Sequence, residues 1–348
     1  MKLKTRLSII MMKTINTMKE QSLIEQFKQL LSKKDSDKHF VVVVDNTEHR
    51  LGVSCDGFPQ FYIRINLSPV SIPTVLRELL LVEYNRNCTI IEEEETITQG
   101  YFAILTLQTT DPYLQEYFID IFSMMLYRLP QFPTNQQIAV EVEKLISIFS
   151  AMKQKPKKMI QGLWSELLVI ERSSNPEIVA NAWHSDPLAK YDFTMGQDKI
   201  EVKSTSSDER KHVFALDQLN PSKSSRLLVA SLIVRESAEC ENGLSVANMY
   251  DRICNRGISI DAKVHISTVM AEVAGNNFRQ LDKVFFDYSQ AADTLAFYES
   301  ENIPRINKEH VPSGVSEVKF TSNLEGVESI ETSATYNWGE DSELFKAL

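Results

Sequence analysis

The chain has 348 residues, of which 43% are hydrophobic and 24% charged, and its formal net charge is −10 at pH 7. At roughly 150 residues per domain this length predicts about two domains, and the composition is that of an ordinary globular chain, which excludes collagen-like and low-complexity proteins. The acidity argues against non-specific coating of DNA or of an anionic membrane, but not against an enzyme that binds nucleic acid in one local groove.

The cysteines and the apolar runs indicate a cellular compartment. Cys55, Cys88, Cys240 and Cys254 form no CxxC pair, and no histidine accompanies them at zinc-finger spacing, so a structural zinc site is not expected. Scattered thiols fit a reducing cytoplasm. No run approaches the roughly 18 apolar residues of a membrane span. We therefore expect a cytoplasmic protein with no membrane partner.

Residues 1–152 are predicted to form a β-rich scaffold or recognition region. Apolar residues at helical spacing predict a helix within 18–34. Runs rich in Val, Ile, Tyr and Phe predict strands at 40–45, 61–67, 79–84 and 101–107, and helices are expected at 112–128 and 135–152. The prediction is an antiparallel sheet with helices that carries no recognisable chemistry.

A basic hinge around Pro156 places the next boundary at residue 153. We expect a core over 153–236 and an acidic α/β extension packed on it over 237–348. In the core the pattern predicts a helix at 158–172, strands at 178–183, 190–195, 199–205, 212–215 and 226–234, and a short helix at 216–220. In the extension it predicts helices at 245–256 and 261–274 and strands at 284–288, 294–298 and 315–320, followed by a tail that frays from residue 329.

Charge separates the last two segments. Residues 151–236 hold 13 basic and 11 acidic residues, whereas residues 237–348 hold 9 and 18. Residues 1–150 hold 15 basic and 18 acidic residues, so the middle segment is the only part of the chain that is not acidic.

Two neighbouring strands carry the residues that point to chemistry. Glu201 and Lys203 are two residues apart in one predicted strand, so they share a face, and a turn at 196–198 folds the preceding strand back so that Asp192 converges on them. Two carboxylates on a half-buried face repel each other unless a cation compensates their charge. Carboxylates, water and phosphate oxygen suit Mg²⁺, and a lysine can hold a water or neutralise transition-state charge. The pattern favours metal-assisted phosphodiester hydrolysis, against the alternative of a solvated amphipathic strand.

Glu166 and Gln218 extend this set. Glu166 lies among the apolar residues of the helix predicted at 158–172, where a carboxylate costs stability unless something pairs with it. Gln218 follows the strand of Glu201 and Lys203, and a glutamine can orient a water or a phosphate through hydrogen bonds. Each could instead be an ordinary helix or turn residue.

The order of these elements resembles the PD-(D/E)XK nuclease superfamily, whose members have the restriction-endonuclease-like fold. The matching stretches are Gly162-Leu-x-x-Glu166, Tyr191-Asp192-Phe193, Ile200-Glu-Val-Lys-Ser-Thr205 and His212-x-Phe214-x-x-x-Gln218-Leu219. The motifs cover about 160–236 and resemble an uncharacterised bacterial subgroup found beside restriction-modification and anti-phage genes. Tyr191 stands where the superfamily name has proline, a departure that many members share.

The resemblance implies an α/β (α+β) fold, with a core of a mixed sheet flanked by helices. It also implies that the protein is a Mg²⁺-dependent DNA endonuclease in which Mn²⁺ can replace Mg²⁺. It implies that Asp192, Glu201 and the Val202 carbonyl ligate the metal. Lys203 would position the attacking water, Glu166 would serve as an auxiliary acid near a second metal or through a water, and Gln218 would lie at the edge of the site.

DNA is the expected partner, and exposed basic residues are the candidates for phosphate contacts: Lys157, Lys158, Arg210, Lys211 and Lys223. A homodimer would serve double-strand cleavage, and activity could require an ATPase or methyltransferase from the same gene cluster. The alternative function is a non-catalytic DNA- or protein-binding subunit of a defence complex, which the acidic segment 237–348 and the N-terminal region without chemistry would suit.

Overall fold

A computed structural model describes residues 7–11, 22–33, 39–44, 47–66, 72–91, 97–184, 186, 189–238, 242–330, 338–339 and 341–348. The chain divides into two compact units, Met1–Ser150 and Ala151–Leu348. Within the described residues, no helix is long and apolar enough to cross a membrane. The division of the chain into 1–152, 153–236 and 237–348 stays a prediction.

The first unit is built on one seven-stranded sheet in the order β1-β2-β3-β4-β7-β6-β5. Its strands are β1 (Leu7–Met11), β2 (His39–Val43), β3 (Arg50–Val53), β4 (Pro59–Ile65), β5 (Val75–Arg77), β6 (Leu80–Ile91) and β7 (Ile97–Leu107). All pairings are antiparallel except those of β1, which is parallel to both β2 and β6. The antiparallel arrangement agrees with the prediction except for the parallel pairings of β1, whereas the strands β1, β3 and β5 were not predicted. The predicted strand ends Asp45 and Leu67 lie outside the described residues.

Three helices accompany this sheet: α1 (Leu23–Ser32), α2 (Pro112–Leu126) and α3 (Asn135–Ala151). Each of the first two begins at a side-chain cap. The Ser22 hydroxyl accepts from the Glu25 amide, and Asp111 accepts from the Tyr113 amide ahead of a proline in the first turn of α2. The part of the predicted 18–34 helix that precedes Ser22 lies outside the described residues.

The second unit holds the four-stranded mixed sheet β15-β11-β9-β8. In chain order the elements of this unit are α4 (Ile160–Arg172), α5 (Pro176–Ala182), β8 (Phe193–Met195), β9 (Asp198–Thr205), β10 (Lys211–Ala215), β11 (Arg226–Ile233), β12 (Glu236–Ser237), β13 (Gly243–Ser245), α6 (Val246–Cys254), α7 (Ile260–Ala274), β14 (Phe285–Asp287), α8 (Tyr288–Thr294), β15 (Ala296–Glu299), β16 (Lys319–Asn323) and α9 (Glu343–Lys346). β9 runs parallel to β11, whereas β8 and β15 are antiparallel to their neighbours. The predicted α+β fold with a mixed sheet flanked by helices is confirmed.

Helix α4 is the central helix of this unit. It packs on β9 and on α5, α6 and α7, and every residue from Leu163 to Glu171 is buried. A helix that is buried on all sides has no face on which a charged side chain can contact water. Glu166, which lies within it, is therefore confined to the interior.

Three predictions for the second unit are wrong, and the strand predicted at 315–320 lies later in the chain, at Lys319–Asn323. Residues 178–183 form most of α5 rather than a strand, because Asn175 caps the helix through a bond from the Ile178 amide and Pro176 occupies its first turn. Residues 216–220 form a turn rather than a short helix. The end of the chain does not fray over 341–348, because Leu344 and Phe345 are buried and the Ser342 hydroxyl donates to buried Asp198 over 2.6 Å; residues 331–337 and 340 lie outside the described part.

Candidate active site

A β-hairpin brings Asp192 beside the strand of Glu201 and Lys203. Phe193 pairs with Ile200 across β8 and β9, and the turn between them passes through Gly196, whose φ of +55° favours glycine. Asp192 immediately precedes β8, and its Oδ2 accepts the amide N–H of Val202 over 2.8 Å. Since the N–H and C=O of one strand residue point to the same side, the Val202 carbonyl also lies on the Asp192 side of β9.

Glu201, Lys203 and Gln218 form a hydrogen-bonded triangle. The Glu201 Oε1 is 2.7 Å from the Lys203 Nζ and accepts from the Gln218 Nε2 over 2.6 Å, while Lys203 donates to the Gln218 Oε1 over 3.3 Å. Gln218 belongs to the turn after β10, where its Oε1 also accepts the Ala215 amide N–H over 3.0 Å. These bonds fix the side chains on one face of β9.

Glu166 reaches the same region from helix α4. Its side chain is 4% exposed, and its Oε2 accepts the indole N–H of Trp183 over 2.8 Å. Trp183 is itself buried, at the residue after α5, and stacks near Phe193. The indole thus holds one oxygen of Glu166 and leaves the other facing the cavity side.

Lys158 bridges Glu166 and Asp192. Its Nζ lies 2.6 Å from the Glu166 Oε1 and also donates to the Asp192 Oδ1. The two carboxylates come from different elements, the helix α4 and the loop that enters β8, so this ammonium group ties the helix to the hairpin.

Negative charge in the cluster is only partly compensated. Burial is the main cause that raises the pKa of Glu166 and that of Glu201, and the charge of Asp192 adds to it. Lys158 opposes this effect at Glu166, and Lys203 opposes it at Glu201. Burial disfavours the charged form of Lys158, but the neighbouring Glu166 and Asp192 outweigh it and raise the pKa of Lys158. A further positive charge would therefore favour the ionised form of the carboxylates.

The donor set suits a hard divalent cation, because it consists of carboxylate oxygens and a backbone carbonyl. As folded, however, no three His, Cys, Asp or Glu side chains among the described residues are arranged to hold a metal ion. The reason is visible in the contacts: the Lys158 ammonium lies between Glu166 and Asp192, and Glu201 is bonded to Lys203 and Gln218. Asp192 and Glu201 would hold such a cation, with the Val202 carbonyl beside them.

One cavity of about 470 Å³ contains all of these groups in its wall, including the predicted residues Glu166, Asp192, Glu201, Lys203 and Gln218. His184 and Tyr191 line the same cavity, and the buried His184 Nδ1 and Tyr191 Oη have no hydrogen-bond partner among the described residues. Burial, and then the charge of Glu201, raise the pKa of the Tyr191 hydroxyl, which keeps it a donor. Unpaired buried polar atoms beside a cavity are a mark of a ligand site.

The basic residues that were predicted to contact DNA occupy different environments. Lys211 pairs with Glu209, and Lys157 lies 3.9 Å from Glu272. Arg210 is bonded internally, to Ser231 and to the Thr294 carbonyl. Lys223 is exposed. Lys158 is the one of the five that contacts the carboxylates of the candidate site.

Trp183 and the bridging role of Lys158 escaped prediction. No motif marks Trp183, which meets Glu166 only after α5 folds against α4. A weak signal pointed to Lys158. It lies eight residues before Glu166, a carboxylate inside an apolar helix that needs a partner.

Comparison with curated proteins and with solved structures gives no match. A family model matches residues 23–325, which make up most of the chain and include parts of both compact units. Its description reads "Putative PD-(D/E)XK family member, (DUF4420)", in agreement with the motif resemblance of Glu166, Asp192, Glu201 and Lys203. The chain therefore belongs to the family DUF4420, a branch of the PD-(D/E)XK proteins.

Proposed function

We propose that this protein is a Mg²⁺-dependent DNA endonuclease that hydrolyses phosphodiester bonds in bacterial restriction or phage defence. The observation that carries the proposal is the shared cavity of Glu166, Asp192, Glu201, Lys203 and Gln218, three of them joined by direct hydrogen bonds. The family relationship adds the substrate class, because PD-(D/E)XK proteins are mostly nucleases.

Each side chain has a distinct part in the proposed reaction. A bound divalent cation would polarise the scissile phosphate and lower the pKa of a water. Asp192 and Glu201 supply the negative charge that retains it. Lys203, held beside Glu201 at 2.7 Å, orients the attacking water and offsets the charge that develops on the phosphate. Gln218 fixes both Lys203 and Glu201, so it sets their separation.

The partners belong to the proposal as well. DNA is the substrate, and of the basic residues predicted to contact it, Lys157 on the cavity wall and exposed Lys223 supply phosphate contacts. A second copy of the chain would allow both strands to be cut, since each chain carries one such cavity lined by the catalytic set. An ATPase or methyltransferase partner would bring the DNA to the site or be required for its cleavage.

The direct test is cleavage of supercoiled plasmid by the full-length protein in Mg²⁺ or Mn²⁺, compared with Lys203→Ala. We expect the variant to lose at least about 100-fold in rate, because removing one charged group that stabilises the transition state costs about 3 kcal/mol. The matched control is Lys199→Ala, which removes a half-buried lysine four residues earlier in β9 whose Nζ donates to the Gly196 carbonyl. Equal cleavage by the wild type and Lys203→Ala would exclude the assignment.

A second function is favoured by one observation, the Lys158 bridge, which pairs two of the carboxylates without a metal. A DNA- or protein-binding subunit with a degenerate nuclease fold would have such a site. Calorimetry separates the two: an endonuclease binds Mn²⁺ and loses that binding in Asp192→Asn, whereas a degenerate site gives no heat with either protein.

A further inference from the structure

Lys158 occupies the position from which a cation would contact Glu166 and Asp192. Its Nζ contacts the Glu166 Oε1 and the Asp192 Oδ1, and the carboxylate side chains are only 4% and 12% exposed. A buried carboxylate pair needs a nearby positive charge. In this fold the chain itself provides that charge.

The Lys158 side chain can leave without movement of the backbone that carries it. The preceding segment is fixed on the end of α7, where the Lys157 amide donates to the Val273 carbonyl over 2.9 Å and the Asn276 amide donates to the Gln154 carbonyl over 2.8 Å. The Lys158 side chain itself is 34% exposed. Gly162, in the same cavity wall, has open space where a Cβ would stand. Rotation of the four-carbon stem is therefore sufficient.

From these contacts we infer that Lys158 is an internal counter-ion that competes with the divalent cation, so that the metal binds only when the ammonium is displaced from Glu166 and Asp192. This inference rests on the proposed function, because Asp192, one of the two carboxylates proposed to hold the cation, is also bonded to Lys158. The single positive charge of Lys158 only partly offsets the negative charge of the carboxylates. A divalent cation at the same place carries twice that charge and attracts the carboxylate oxygens more strongly. The exchange lowers the affinity for the cation and keeps the metal-free site folded.

The consequence is a reciprocal coupling between Lys158 and the metal. Cation binding releases the ammonium toward solvent, and removal of the ammonium strengthens cation binding. A lysine that merely positioned the carboxylates for the metal would have the opposite effect on affinity. The sign of the change therefore distinguishes the two roles.

The first experiment measures Mn²⁺ affinity by calorimetry on the full-length protein, at a pH at which Glu166 is ionised. We expect Lys158→Gln to bind Mn²⁺ about 10-fold or more tightly than the wild type, which corresponds to a coupling of about 1.4 kcal/mol. Lys158→Arg, which keeps the charge, should show no such gain. The matched control is Lys155→Gln, because that exposed lysine belongs to the same segment but not to the residues that line the cavity. Equal or weaker binding by Lys158→Gln would overturn the inference.

The second experiment needs no variant, so it tests the inference even if Lys158→Gln fails to fold. Lysine acylation of the wild type is followed by mass spectrometry with and without Mg²⁺. We expect Lys158 to be protected in the metal-free protein and labelled several-fold faster with Mg²⁺, while the labelling of exposed Lys223 does not change. Unchanged labelling of Lys158 at saturating Mg²⁺ would overturn the inference.

The outcomes also separate this inference from the proposed function. If the wild type binds Mn²⁺ and cuts DNA but Lys158→Gln binds no tighter, only the counter-ion role fails. If neither protein binds Mn²⁺, the metal-dependent function fails and the counter-ion role fails with it. Tighter binding by Lys158→Gln supports both.

Discussion

Trp183 shows how one neutral residue can set the state of a buried acid. Its indole N–H is the donor to the Glu166 Oε2, at 2.8 Å, while Lys158 contacts the other oxygen. Burial raises the pKa of Glu166, and the Trp183 bond acts in the opposite direction. The uncharged Trp183 side chain thereby favours the ionised form of the Glu166 carboxylate.

We predict that Trp183→Phe destabilises the second unit by about 1–3 kcal/mol, because a buried carboxylate oxygen loses its partner while the ring packing is largely kept. Urea unfolding measures the change. The control is Trp164→Phe, whose indole donates to the neutral Leu244 carbonyl over 2.9 Å, so its loss should be smaller and DNA cleavage should be retained. A larger loss for Trp164→Phe would contradict this account of Glu166.

At the scale of the elements, a glycine at the end of α7 fixes the segment that carries Lys158. Gly275 has φ +52° and ψ −132°, and a Cβ there would lie 2.5 Å from the Gln154 carbonyl oxygen. Real Cβ atoms do not approach a backbone oxygen so closely, so the segment around Gln154 would have to move.

We predict that Gly275→Ala costs about 1–3 kcal/mol more than Gly257→Ala, because both positions have positive φ but Gly257 has no neighbouring atom within 4 Å of an added Cβ. Urea unfolding gives the two costs. Lys158 should also be acylated faster in metal-free Gly275→Ala, since its anchor has shifted. Equal costs with unchanged labelling would show that the contact with Gln154 is not what holds the segment.

The elements that sequence predicted correctly are those with strong local signals. The longer strands β4, β6, β7, β9 and β11 follow from runs of apolar residues, α4 follows from its helical period, and the hairpin at Gly196 follows from its turn residues. The short strands β1, β3 and β5 were not predicted. Residues 178–183 were mistaken for a strand because Ile178 and Val179 favour extended structure, although Asn175 and Pro176 carried a helix-start signal. The turn at Gln218 is too short for periodicity to identify.

At the scale of the whole molecule, the partners of the candidate site come from distant parts of the chain. Asp192, Glu201 and Lys203 were predictable because a hairpin joins them within a few residues. The contacts of Glu166 with Trp183 and Lys158 depend on how α4, α5 and the segment at the end of α7 pack together. No pattern within one element records such packing, so these contacts could be read only from the fold.

Each compact unit also contains one buried neutral histidine. In the first unit the His49 Nδ1 accepts the Arg64 amide N–H over 3.1 Å, and burial, followed by the charge of Arg50, lowers the pKa of His49 to about 4. In the second unit burial, followed by the charges of Lys203 and Arg210, lowers the pKa of His212 to about 4. The unfolded chain binds protons to both residues at higher pH than the folded protein does, near the ordinary value of 6.5.

We therefore predict that both units are at full stability, with respect to these histidines, above about pH 6.5 and lose stability as the pH falls from there toward 4, by up to about 3 kcal/mol per histidine. Urea unfolding across this range measures the slope of the first unit; in the second unit the raised pKa of Glu166 and that of Glu201 oppose the effect of His212. In His49→Gln the slope of the first unit should flatten, because Gln can still accept the Arg64 amide but binds no proton, while the slope of the second unit should not change. If His49→Gln leaves the acid sensitivity of the first unit unchanged, other groups than His49 govern it.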